Sequence, residues 1–115
     1  MEKKYYKGID ITYLDENDYS YLYDLSDKEI AEDKEFLEVK NKAKSLTKNP
    51  QFVIGFSEGY YCAKNNEKIK EGVKIWKDIF KHEGKTFNYN KMIEYAKKGW
   101  EYYFLCHGVN LPKEI

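Results

Sequence analysis

Along most of this chain the hydrophobic positions keep a helical step. Ile30, Phe36, Val39, Ala43 and Leu46 recur at three- or four-residue intervals after the first turn, which makes one apolar stripe. Ser26-Asp27-Lys28-Glu29 stands before it as a capping box, in which the serine oxygen and the glutamate satisfy backbone donors that a helix start leaves unpaired. The pattern predicts a helix over about Asp27 to Lys48, with early acids and later lysines that suit the helix dipole. Asn49-Pro50 restarts the chain, since proline at the first helical position gives up a donor that is not needed there. Phe52, Phe56, Tyr60 and Ala63 then form the stripe of a helix over Pro50 to Lys64. Ile69, Val73, Trp76 and Phe80 predict another over Glu67 to Glu83, which Gly84 stops. Asn88 is placed to cap a last helix over Tyr89 to His107, with Met92, Ala96, Trp100 and Phe104 on one face and Gly108 and Pro112 beyond.

The first 25 residues have a different period. Ile9-Asp10-Ile11-Thr12-Tyr13 alternates apolar with polar, and Tyr19-Ser20-Tyr21-Leu22-Tyr23 sets three tyrosines on one side of an extended strand. Asp15-Glu16-Asn17-Asp18 between them has turn chemistry, so a β-hairpin is expected, with a short helix capped by Asp18 as the rival. The fold class is therefore α+β and predominantly α. A single domain is expected, in which residues 1–25 form an acidic, tyrosine-rich hairpin or irregular arm packed on a bundle of about four helices over residues 26–110.

Gly55, Gly59, Gly72 and Gly99 fall inside predicted helices, where each costs about 1 kcal/mol relative to alanine. Close approach of helix backbones would offset that cost. The spacing of Gly55 and Gly59 matches the small-residue motif of membrane helix pairs, but its setting is too short and polar for a bilayer.

Length and composition fit one globular domain with an ordinary apolar core under a densely charged surface. Cys62 and Cys106 are read as reduced thiols, because two cysteines make no disulfide framework. The basic residues near the N-terminus are followed by no apolar run, and no run elsewhere approaches the roughly 18 residues of a membrane span. A cytoplasmic location and no membrane partner are expected.

Charge changes the picture more than composition does. All 20 basic residues are lysine, so the side chain best suited to bidentate phosphate or guanine recognition is missing. The net charge of zero hides a separation by sign. Asp10 through Glu38 holds eleven acids against two lysines, and Lys40 through Lys113 holds fifteen lysines against seven acids.

The motifs that would carry chemistry are incomplete. Gly84-Lys85-Thr86 ends like a phosphate-binding loop, but Ile79 stands where the first glycine should be and a helix precedes it in place of a strand. Cys62, His82, Cys106 and His107 include the ligand types for zinc without the close pair that anchors such a site. Cys106 and His107 point about 100° apart on one helix and cannot serve each other as nucleophile and base. No metal, cofactor or enzymatic role is expected.

Lys64, Lys68, Lys74, Lys77, Lys81, Lys97 and Lys98 lie among tyrosines and tryptophans, a mixture found in nucleic-acid binders, but acids one turn away suggest ordinary ion-paired helix faces. The stronger expectation rests on the N-terminal segment: Asp10, Tyr13, Asp15, Glu16, Asp18, Tyr19, Tyr21, Tyr23 and Asp24. Tyrosine is enriched at protein interfaces, and carboxylates beside it suit a basic groove. The plainer reading is that the tyrosines cover the helices and the acids neutralise the chain's own lysines. The expected function is a small protein-binding inhibitor of a nucleic-acid-handling protein, with a host or phage-defence protein bearing a basic groove as partner. That resembles in type the counter-defence inhibitors of phages and mobile elements, such as anti-CRISPR proteins, and no motif carries the likeness. A nucleic-acid-binding accessory protein using the lysine-rich helices, or a toxin-neutralising immunity protein, is the alternative.

Overall fold

The computed structural model describes residues 2–108. Among them the chain is mostly helical, with five α-helices, one 3-10 helix and a two-stranded antiparallel sheet. Its contacts gather into two compact units, Met1–Lys48 and Asn49–Ile115.

The first unit opens with a hairpin that pairs β1 (Tyr5–Tyr6) with β2 (Ile9–Asp10), Tyr5 opposite Asp10 and Tyr6 opposite Ile9. Lys7 and Gly8 make the two-residue turn with φ of 48° and 85°, the left-handed pair that matches the twist of hairpin strands. The hairpin lies earlier than the alternation of Ile9 to Tyr13 and Tyr19 to Tyr23 predicts. The strand pattern breaks at Asp10, whose Oδ1 accepts the backbone N–H and the hydroxyl of Thr12 and so turns the chain. Asp15, and not Asp18, then caps α1 (Glu16–Tyr19), accepting the N–H of Asp18 at 3.2 Å.

Tyr19 to Tyr23, expected as a strand, runs into a 3-10 helix over Ser20–Asp24. Three residues per turn bring Tyr19, Leu22 and Leu25 to the same side, and Leu22 is fully buried there. A period of two would have aligned three tyrosines, but it would have turned Leu22 away from them. The helix α2 (Asp27–Leu46) starts from the predicted capping box, with both reciprocal hydrogen bonds formed between Ser26 and Glu29. Its Ile30 and Leu37 join Ile9, Ile11, Leu14 and Leu22 in one core. Phe36 and Leu46, assigned to the buried stripe by spacing, are exposed, and Leu37 takes the core position.

The second unit contains α3 (Pro50–Lys64), α4 (Ile69–His82) and α5 (Tyr89–His107). Pro50 opens α3 and Asn88 caps α5 as expected, Asn49 caps α3 as well, and Gly84 and Gly108 take left-handed conformations after α4 and α5. Phe52 meets Tyr95, Phe56 meets Tyr102 and Tyr60 meets His107, so α3 and α5 run parallel. Where they touch, a Cβ on Gly59 would overlap the Ala96 backbone and one on Gly99 the Phe56 backbone. The glycines therefore permit a backbone approach that any side chain would prevent.

Candidate functional site

The acidic and tyrosine-rich residues divide into an inward and an outward set. Asp10 is held in its turn by Thr12, whose hydrogen bonds, together with the charge of Lys3, keep its carboxyl below the ordinary aspartate range. Asp18 lies on α1, half-buried, and accepts Lys40 Nζ of α2 at 2.8 Å while its other oxygen pairs with Lys44. Burial lowers the Lys40 ammonium from its ordinary value, and the nearby charge of Asp15 opposes that shift. Asn41, the one buried polar residue among those described, takes the Tyr13 backbone N–H on its Oδ1 at 2.9 Å. Asp18 and Asn41 are thus fastenings between the N-terminal segment and α2, and Asp10 belongs to a turn. Neutralisation of the chain's own lysines is real for Asp18 and also for Asp27, which pairs with Lys7 at 2.8 Å.

The outward set comprises Tyr13, Asp15, Glu16, Tyr21, Tyr23 and Asp24, all exposed. Tyr23 remains 55% exposed although its ring meets Tyr6 edge to face at 4.9 Å and Tyr19 at 6.3 Å. This ring group sits beside Glu16. Partial desolvation first, and then the neighbouring Tyr19 and Glu16, push the Tyr23 phenol up from its ordinary value. Desolvation and the charge of Asp33 do the same for Tyr21. Both phenols therefore stay protonated at neutral pH and can donate a hydrogen bond at the tip of a large rigid ring. Tyr13 and Asp15 also border an open cleft of about 370 Å³, where Lys44 and Lys48 supply charge of the opposite sign.

Sequence reasoning missed Tyr6, which buttresses Tyr23, and Asn41, which ties down the segment at Tyr13. Gly8 was an available signal for the first, because a glycine between Tyr5-Tyr6 and Ile9 supplies one of the two positive-φ positions that a two-residue hairpin turn needs. Nothing local marks Asn41, since its partner is 28 residues away.

The second unit has one half-buried carboxylate at a helix contact. Glu58 of α3 accepts the Trp76 indole N–H of α4 at 2.9 Å, and the Cys62 thiol donates to it at 3.6 Å. Burial and the adjacent Glu58 push the Cys62 thiol up to about 12, so it stays protonated and is a poor nucleophile at neutral pH. Cys106 is exposed near the end of α5, and the His107 ring stacks on Tyr103 at 4.2 Å. Among the described residues no group of three His, Cys, Asp or Glu side chains is placed to hold a metal ion, and no helix is long and apolar enough to cross a membrane. No protein-family model, curated protein or solved structure matches the chain.

Proposed function

We propose that this chain is a protein-binding module, and that it obstructs a partner by laying the outward tyrosines and acids of its first unit into a basic groove. The observation that carries the reading is the exposed ring of Tyr23, buttressed by Tyr6 and Tyr19 and flanked by Glu16. A tyrosine held by neighbouring rings loses little side-chain entropy on binding, which is the property that makes buried aromatic anchors dominate interfaces. Tyr13 and Tyr21, 44% and 39% exposed, extend the same chemistry, and Asp15, Glu16 and Asp24 supply charge for steering. A groove that otherwise holds nucleic acid has the complementary sign, which makes a nucleic-acid-handling protein of the host or of its phage-defence systems the partner of choice.

The test uses two variants. Glu16→Gln with Asp24→Asn removes outward charge and leaves the Asp18 fastening intact, and Tyr23→Ser removes the anchor. A partner recovered from bacterial lysate by the wild type is expected to associate more slowly with the first variant, at a nearly unchanged melting temperature, and to dissociate faster from the second, which stays folded but melts a few degrees lower because it gives up its contacts with Tyr6 and Tyr19. If both variants bind that partner as the wild type does, this surface is not the one used.

A further inference from the structure

The second unit carries a surface of opposite sign that the proposed protein-binding face does not involve. On α4, Lys70, Lys74, Lys77 and Lys81 follow one another at steps of four, three and four residues, all exposed. At 3.6 residues per turn they fall within about 60° of arc, and they extend about 16 Å along the axis. The spacing of Glu71, Lys74, Asp78 and Lys81 offers three- and four-residue ion pairs that would neutralise such a stripe. Those pairs are not made. Among the described residues none of the four lysines forms a salt bridge, whereas Lys85 and Lys91 find Glu83 and Glu94. Lys77 instead stands 5.9 Å from the centre of the Tyr89 ring.

We infer that this lysine stripe on α4 is a docking surface for the phosphate backbone of duplex DNA, bound without regard to sequence. Charge complementarity selects a polyanion, because neighbouring ammonium groups one turn apart repel each other until counter-charge relieves them. The absence of arginine from the chain removes the side chain best suited to reading guanine, and a row of lysine point charges is matched to phosphates, whose contacts carry no sequence information. The duplex is chosen over single strands for want of stacking platforms. Single-strand binders present aromatic faces, but the exposed large apolar side chains among the described residues of this unit are Ile75, Ile79 and Leu105. Most of its rings are engaged with one another, as in Trp76 with Phe80 and Phe80 with Phe87, and the half-buried Tyr89 packs against the core.

Four neutralised phosphates give a slope of about −3.6 for the logarithm of affinity against the logarithm of salt concentration. Affinity for a fluorescein-labelled duplex of about 20 base pairs, measured by anisotropy, is then expected to fall about 150-fold between about 50 and 200 mM KCl. The whole chain is compared with two quadruple variants of equal charge change. Lys70→Gln, Lys74→Gln, Lys77→Gln and Lys81→Gln together should abolish binding at the lower salt and leave the helical circular dichroism intact, since glutamine is as good a helix former as lysine. Lys3→Gln, Lys4→Gln, Lys28→Gln and Lys48→Gln in the first unit should bind nearly as the wild type does. The inference is overturned if the wild type does not bind at the lower salt, if the two quadruple variants weaken binding equally, or if a single strand of the same length binds more tightly than the duplex. None of these outcomes depends on the tyrosine face, and each reading can fail while the other stands.

Discussion

Replacing Gly59 by alanine tests the geometry on which the second unit depends. An added Cβ would stand 2.5 Å from the Ala96 carbonyl carbon and 2.7 Å from its Cα, with the carbonyl oxygen nearer still. Carbon atoms in contact prefer at least about 3.5 Å, so α5 must withdraw by about 1 Å, and the obstacle is backbone that no rotamer change can clear. Overpacking of this kind costs about 1–3 kcal/mol, and a rigid obstacle favours the upper end. Alanine returns about 1 kcal/mol through its better helix propensity, which leaves a net loss of about 2 kcal/mol. For a unit of this size that lowers the melting temperature by about 8–16 °C. Both tryptophans, Trp76 and Trp100, lie in the second unit, so their fluorescence reports its unfolding directly. Because the contact is with the backbone, Ala96→Gly should not rescue the variant. An unchanged or raised melting temperature in Gly59→Ala would refute the close approach, since propensity alone predicts a gain.

Further expectations follow from the fastenings and thiols. Asp18→Asn leaves Lys40 and Lys44 without their counter-charge. Because the cluster is neither fully exposed nor fully buried, the variant should lose about 1–3 kcal/mol in urea titrations followed by circular dichroism, and less at high salt. The carboxyls of Asp10, Asp27 and Glu29 are held below their ordinary values by Thr12, Lys7 and Ser26 respectively. Their stabilising contribution is present above the ordinary range and is lost as pH falls through the depressed values. Melting temperature should therefore decline on acidification below about pH 4, less steeply in Asp10→Asn. With its thiol raised to about 12 from an ordinary 9.0, Cys62 contributes stability that is complete below pH 9 and drains away as pH rises towards 12. At pH 8 iodoacetamide should modify Cys106 and spare Cys62 until the chain unfolds. Equal reactivity of the two thiols would contradict the burial of Cys62.

Elements that rest on neighbouring residues were legible without coordinates. The capping box at Ser26, the Asn49-Pro50 start, the Asn88 cap and the glycine stops act within a turn of themselves, and the stripes of α3, α4 and α5 repeat often enough to fix their phase. The tolerance of glycine inside helices also pointed to close packing, although not to which helix would come near. Within the first 25 residues the sequence pattern places the hairpin too late in the chain and reads Tyr19 to Tyr23 as a strand, because the segment is short and rich in residues that suit several local structures. Asp10 and Asp15 chose turn and cap by hydrogen bonds, while Leu22 chose a period of three by being buried among residues from β2 and α2. Phe36 and Leu37 are equally apolar neighbours, and only the position of the core face decided between them. The candidate surfaces divide along the same line. Residue type and charge marked the acids, tyrosines and lysines as candidates, but whether a charge faces outward is a property of distant partners. Lys40 and Lys44 drew Asp18 inward across more than 20 residues of chain, and among the described residues the lysines of α4 form no salt bridge although acids stand one turn away. Local sequence sets which interactions are possible, and tertiary packing decides which of them desolvation and geometry make worth forming.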